Sequence, residues 1–237
     1  MDLSLDAETN VWTLVLKSSP AKGGFENRFN PDFIAGFNAA LDRVEAEGGA
    51  LVTTSEGKFY SNGLDLNWLM HQPKDGPEAR AFMASFHLLL ARVLTFPCPT
   101  VAALNGHGFA GGFMLALAHD YRVMRHDRGF LCMNEIDLGM TLTPGMNAVI
   151  KCKVPPPLWR EVMLQGHRFS GQEAAKLQLV DETADEAGVL PAARAIAARH
   201  CDRYGTTYGG LKRDLYVHCT AVLEDNGSPF AGLNPKL

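Results

Sequence analysis

Short apolar runs with β-branched residues alternate with longer stretches of helical spacing along this chain, and that alternation restricts it to the α/β class. Residues 50–54 and Thr100–Leu104 are apolar or β-branched, as expected for strands buried on both faces of a sheet, and Tyr121–Arg125 reads as a further strand. Between them, Phe33, Ile34, Phe37, Ala40, Leu41 and Val44 recur at helical spacing behind Pro31, a residue tolerated at a first helical position. Pro77–Leu94 predicts a second long helix, and Gly111–Ala118 the start of another. Residues 3–5 and Val11–Leu16 flank a polar turn and predict an opening hairpin, followed by a Gly/Pro/Asn-rich connection over 18–30. After about residue 155 the pattern turns helical, with periods at 156–164, Gly171–Lys176, 191–204 and 209–222. The expected organisation is a core over 1–190 and a C-terminal helical region over 191–237.

The 237 residues, 46% of them hydrophobic, suffice for one large domain that buries a core. A formal net charge of -4 offers no basic excess for a nucleic-acid backbone or an anionic membrane surface, so a small-molecule substrate is expected. No apolar run reaches the roughly 18 to 20 residues of a membrane span, and the N-terminus lacks a cationic, hydrophobic leader, so a soluble, non-secreted protein is expected. Five scattered cysteines without a C-x-x-C pair predict reduced, mostly buried thiols and no metal site. The final tripeptide, Pro235-Lys236-Leu237, is a variant of the Ser-Lys-Leu address that a peroxisomal import receptor reads. An accidental ending competes with that reading.

Three segments carry the chemistry. In the first, Lys58 to Asp65, Asn62-Gly63 marks a turn and Asp65 caps the following helix, which leaves backbone N–H groups near Leu64 without helical partners. Free donors of this kind suit an oxyanion; alone, the segment also reads as an ordinary strand–turn–helix connection. In the second, Asn105 to Gly112, the glycines at 106, 108 and 111 formally satisfy G-x-G-x-x-G. A dinucleotide site would also place an acidic residue about 20 positions on, at the end of the next strand, whereas Asp120 precedes that strand. The remaining reading gives the N–H of Gly111, at a helix N-terminus, to a substrate carbonyl. In the third, Met133 to Met140, Glu135 sits among apolar residues ahead of Thr143-Pro144-Gly145, a helix-entry signal. A carboxylate in apolar surroundings holds its proton more tightly, which qualifies Glu135 as a general base and acid. A solvated glutamate at a strand end is the competing reading.

Taken in order, these segments resemble the crotonase, or enoyl-CoA hydratase/isomerase, superfamily over most of residues 1–190. The resemblance implies a spiral of β-β-α turns, a homotrimer or hexamer, an acyl-CoA substrate and no separate cofactor, since CoA is part of the substrate. It implies that Leu64 and Gly111 donate to a thioester enolate, and that Ser61, Asn62, Gly63, Leu64 and Asp65 line the acyl-CoA path. Hydratases of this group carry a glutamate two residues after the Gly-Gly pair, where this chain has Met114. With Glu135 alone, the resemblance points to a Δ3,Δ2-enoyl-CoA isomerase of peroxisomal β-oxidation. The run Met133-Asn134-Glu135-Ile136-Asp137-Leu138-Gly139 is similar to the Asn-Glu segment of those enzymes. Other crotonase-type reactions and a non-catalytic acyl-CoA-binding relative are the alternatives. Lys22, Arg28 and Lys58 are candidates for the CoA phosphates, against ordinary solvated cations. His107 reads as a packed neutral histidine in preference to a catalytic one.

Overall fold

A computed structural model describes residues 1–21, 24–73 and 76–225. In chain order the strands are β1 Asp2–Asp6, β2 Val11–Leu16, β3 Pro20–Ala21, β4 Gly24–Phe25, β5 Ala50–Ser55, β6 Phe59–Ser61, β7 Thr100–Leu104, β8 His107–Phe109, β9 Tyr121–Arg125, β10 Phe130–Cys132, β11 Phe169–Ser170 and β12 Glu182–Ala184. The helices are α1 Pro31–Glu47, α2 Leu66–Met70, α3 Pro77–Leu94, α4 Gly111–Ala118, α5 Pro144–Lys153, α6 Trp159–Leu164, α7 Gly171–Lys176, α8 Val189–Ala198 and α9 Thr206–Glu224.

Local signals account for several of these boundaries. The Asn30 side chain accepts from Phe33 N–H at 2.9 Å and Pro31 opens α1, so a capped start feeds the periodic apolar face. Thr143 caps α5 in the same way, accepting from Met146 N–H at 3.2 Å. The helical period at 191–204 is shorter in the structure, because α8 ends at Ala198. Turns follow that end, and Gly205 N–H donates to Pro97 C=O at 2.8 Å, drawing the chain across to start α9.

The strands form two larger sheets. One has the order β1-β2-β5-β7-β9-β12; β1 pairs antiparallel with β2 as the predicted hairpin, and the other neighbours are parallel. The second has the order β11-β10-β8-β6, with β6, β8 and β10 parallel. Each successive passage of the chain gives one strand to the first sheet and the next to the second: β5 then β6, β7 then β8, β9 then β10. That is a spiral whose repeating turn contains two strands.

Side-chain alternation decides how the first sheet is covered. Val11, Ala50, Val52, Val101, Ala103 and Val123 face α8, where Val189, Ala193, Ile196 and Ala197 meet them. Trp12, Leu14, Leu16, Leu51, Ala102, Leu104 and Met124 face the larger core built with α1, α3, α4 and α5. Small residues therefore line the face under one close-packed helix, and larger ones fill the wider interior. Helix α9 packs on α3 and α5. It is tied down by Lys212, whose Nζ meets Asp120 Oδ1 at 2.8 Å, while Tyr208 OH and Thr100 N–H donate to Oδ2 of the same carboxylate. The acidic residue weighed for dinucleotide binding is thus the anchor of a buried ion pair.

Among the described residues no helix is long and apolar enough to cross a membrane. The described cysteines are free; Cys98, Cys132 and Cys219 are buried, Cys201 is half-buried and Cys152 is exposed.

Candidate active site

The order β6-β8-β10 makes neighbours of three segments that lie far apart in sequence. Because these strands are parallel, their C-terminal ends fall on one edge, about 4.8 Å from strand to strand. From those ends run Asn62-Gly63-Leu64, Ala110-Gly111 and Met133-Asn134-Glu135. Ala110 N–H donates to Cys132 C=O at 2.8 Å, which stitches the second exit to the third. The exits enclose a cavity of about 50 Å³, lined by Asn62, Leu64, Leu66, Ala110, Gly111, Asn134, Glu135, Leu138, Met140, Thr141 and Met146.

Glycine lets the first two exits touch. Gly63 has φ +79°, and a Cβ there would stand 3.0 Å from Phe109 O and 3.2 Å from Gly111 N. A Cβ on Gly112 would lie 2.3 Å from Ser61 O, so this glycine lets α4 start directly against the backbone of β6. A Cβ on Gly111 would meet the Phe86 ring. Packing of one spiral turn on the next thus excludes a side chain at Gly112, beside the Gly111 N–H that the sequence reading gives to a substrate carbonyl. Ala110, between β8 and α4, has φ 49° and ψ −119°, a conformation rare for a residue with a side chain, held where the chain turns sharply into α4.

Two backbone donors border the cavity. Leu64 forms a parallel bridge with Phe29 whose bonds run from Phe29 N–H to Gly63 O and from Asp65 N–H to Phe29 O, so Leu64 N–H takes part in neither. Gly111 is the first residue of α4, where an N–H has no partner inside the helix. Among the described residues neither N–H has a partner.

Glu135 is 9% exposed, and its Oε2 is buried without a hydrogen-bond partner. Its backbone carbonyl accepts from Leu138 and Met140 N–H, which folds 134–140 into tight turns and fixes the start of the side chain. Burial pushes the carboxyl up from the ordinary 4.5 to about 7, opposed only by its own backbone N–H. Asn134 Oδ1, beside it in the lining, is also buried and unpartnered. The cavity continues past Glu135, Met140 and Thr141 into an apolar cleft of about 300 Å³ bounded by Ile136, Leu142, Asn147, Met163 and Leu164. An arrangement of this kind can hold an oxyanion at two N–H groups and carry a proton beside it, between neutral and charged carboxyl forms of similar free energy at pH 7.

The expected site residues divide. Asn62, Leu64, Gly111 and Glu135 line the cavity. Ser61 is fully buried below it, its Oγ donating to Asn27 C=O at 2.6 Å and accepting from Gly63 N–H, so it shapes the turn. Asp65 accepts from Trp68 N–H at 3.1 Å as the cap of α2 and borders an open polar cleft of about 610 Å³. Arg28 lines that cleft and is ion-paired with Glu26. Lys58 lies over the Phe59 ring, and Lys22 falls outside the described residues. His107 packs among Phe59, Phe109 and Phe130 and does not line the cavity; burial, with Lys58, Arg128 and Arg168 nearby, holds its pKa below the ordinary value. Met114 is fully buried in the main core and does not line the cavity. Sequence reasoning assigned no role to Asn134, Leu66, Leu138, Thr141 or Met146. Only the tight turns after Asn134 and the capped start of α5 bring the last of these to the cavity, and neither leaves a periodic signal.

Comparison with known proteins adds an independent line. Residues 21–226 match the profile of the enoyl-CoA hydratase/isomerase family. The peroxisomal enoyl-CoA delta isomerase 2 of Arabidopsis thaliana is 37% identical over 226 residues, 91% of this chain and 93% of that protein. Enoyl-CoA delta isomerase 3 of the same plant is 38% identical over 223 residues, 90% of this chain and 93% of that protein. Among solved structures, human mitochondrial delta3-delta2-enoyl-CoA isomerase matches with a TM-score of 0.82 at 21% identity, covering 92% of this chain and 84% of that one. At that identity the likeness speaks for the fold alone.

Proposed function

The chain belongs to the enoyl-CoA hydratase/isomerase family, and on that premise we propose that it is a Δ3,Δ2-enoyl-CoA isomerase converting 3-cis- or 3-trans-enoyl-CoA to 2-trans-enoyl-CoA. The thioester carbonyl sits at the N–H groups of Leu64 and Gly111, with the acyl chain running along the apolar cleft beyond Glu135. Glu135, as carboxylate, takes a proton from C2; the C2 electron pair delocalises into the thioester and the charge collects on its oxygen. The resulting carboxylic acid returns the proton at C4, so the double bond moves from C3–C4 to C2–C3 with no atom gained or lost. Donors already aimed at the developing charge contribute about 3 to 4 kcal/mol each.

The observation that carries this reading is a single buried carboxyl with a free oxygen, pushed up to about 7, in the cavity that both N–H groups border. One carboxyl suffices to shuttle one proton. Hydration needs a held and activated water, and the position where hydratases of this group carry the second glutamate is Met114. The test is turnover of 3-hexenoyl-CoA, followed as the conjugated 2-enoyl thioester, with hydration of crotonyl-CoA alongside. Isomerisation far above hydration is expected. Hydration equal to it would require another group to replace the missing carboxylate, and inactivity on both would leave a non-catalytic acyl-CoA-binding protein.

The proposed setting is the peroxisome, reached through recognition of Pro235-Lys236-Leu237 by the import receptor. Two Arabidopsis relatives carry that location in their names, and the tripeptide itself lies outside the described residues. Removal of the three residues should abolish peroxisomal location of the protein in cells. The proposed assembly is a homotrimer or hexamer. Leu211 and Leu215, one turn apart on α9 and 64% and 70% exposed, support an interface there.

A further inference from the structure

Two residues of the cavity wall each bury an acceptor oxygen that lacks a donor among the described residues: Glu135 Oε2, which the proposed reaction uses, and Asn134 Oδ1, which it does not. Buried acceptors in folded proteins are nearly always satisfied, so an orphan in a cavity wall marks a place where a donor arrives with a ligand. The backbone holds Asn134 where it is. Its C=O accepts from Asp137 N–H at 3.1 Å and Leu138 N–H at 3.3 Å, and Cys132 C=O, two residues before it, accepts from Ala110 N–H at 2.8 Å.

With the thioester carbonyl at the N–H groups of Leu64 and Gly111, the two halves of an acyl-CoA leave the cavity in different directions. The acyl half follows the apolar cleft, which shares Glu135, Met140 and Thr141 with the cavity and which Asn134 does not line. The thiol half takes the other way, past Asn62, whose Nδ2 lies 3.5 Å from Glu26 Oε2 in the wall of the open polar cleft. The enoyl group carries no N–H or O–H. The first donor that the substrate brings is the amide N–H two carbons beyond its sulfur. We propose that Asn134 Oδ1 accepts the hydrogen bond of that N–H, so that Asn134 is a substrate-binding residue selecting pantetheine thioesters over thioesters without the amide. The inference rests on the acyl-CoA reading of the site. A site built to accept an N–H rejects an analogue lacking it, because the buried acceptor is then left unpaired. A fixed point on the far side of the sulfur also stops the thioester from swinging about its carbonyl oxygen, which keeps C2 beside Glu135.

The experiment measures, by calorimetry on the purified full chain, the Kd of hexanoyl-pantetheine and of the same thioester with an ester oxygen in place of that N–H. Neither compound reacts, so the result does not depend on turnover. The parent protein should bind the amide about 10- to 100-fold more tightly than the ester. In Asn134→Ala that ratio should fall to within about twofold of one. Asn134→Asp keeps an acceptor at the position and should retain a preference for the amide. Equal binding of the two compounds by the parent overturns the inference, and so does an Asn134→Ala protein that keeps the parental ratio, because the oxygen then serves Glu135 or the fold. Turnover of 3-hexenoyl-pantetheine by the parent separates this from the isomerase reading. Inactivity beside an Asn134-dependent ratio sinks that reading alone, and activity without the ratio sinks this inference alone.

Discussion

Replacing Glu135 with Gln separates the two consequences of burying a carboxyl. Shape and hydrogen-bonding capacity are nearly retained, while the titrating proton is lost. Burial raises the folded carboxyl from 4.5 to about 7, which corresponds to about 3 kcal/mol at 1.36 kcal/mol for each pH unit. The sign follows from which form the fold prefers. The protonated form is favoured, so the group's contribution to stability is fully present below 4.5 and is lost as pH rises through about 7. Glutamine stays neutral throughout. Glu135→Gln should therefore differ from the parent by less than about 1 kcal/mol at pH 5 and be the more stable by about 3 kcal/mol at pH 8. For a chain of this size that gap is a Tm difference of roughly 6 to 12 °C. Isomerisation of 3-hexenoyl-CoA by the same variant should fall by about a hundred- to ten-thousand-fold, the usual contribution of a positioned proton carrier. Calorimetry at pH 5, 6.5 and 8 beside the turnover assay reads both. A stability difference that does not change with pH would refute the burial argument. Near-parental turnover would refute the role of the carboxylate.

Three further outcomes follow from the same geometry. The isomerisation rate of the parent protein should rise with pH to a plateau, with its midpoint near 7, because the base acts in its deprotonated form; a flat profile from pH 5 to 9 would exclude Glu135 as that base. Gly112→Ala sets a Cβ 2.3 Å from Ser61 O, where backbone faces backbone, and should cost about 3 kcal/mol by urea unfolding; a loss below about 0.5 kcal/mol would mean the spiral turns are less tightly stacked than described. Lys212→Met leaves Asp120 in the interior without its cation and should cost about 3 to 5 kcal/mol, with α9 protected less against hydrogen exchange. Unchanged exchange in α9 would show that the pair does not anchor the helix.

Much of the fold was legible where a boundary is written locally. Pro77–Leu94, Thr100–Leu104, Gly111–Ala118 and Tyr121–Arg125 appear in the structure at the expected residues, because proline openings and runs apolar on both faces act over a few neighbours. The short strands β6, β8 and β10 were not read as strands at all. Three residues give no period, and their pairing partners lie some twenty to fifty positions away. Helix α8 stops at Ala198, and after its turns the Gly205 N–H is taken by Pro97, about a hundred positions back.

The site divides along the same line. The residue types were present in the sequence: a glutamate among apolar neighbours, a glycine pair opening a helix and an Asn-Gly turn before a cap. Their meeting was decided by the parallel order β6-β8-β10, which puts three strand ends on one edge, and by bare Cα atoms at 63 and 112 that let two of those ends touch. Tertiary structure also put Ser61 beneath the turn instead of in the cavity lining, and Met114 into the core. The proton affinity of Glu135 belongs to the fold as well, because desolvation depends on everything that surrounds a carboxyl and a one-dimensional sequence fixes only what stands next to it.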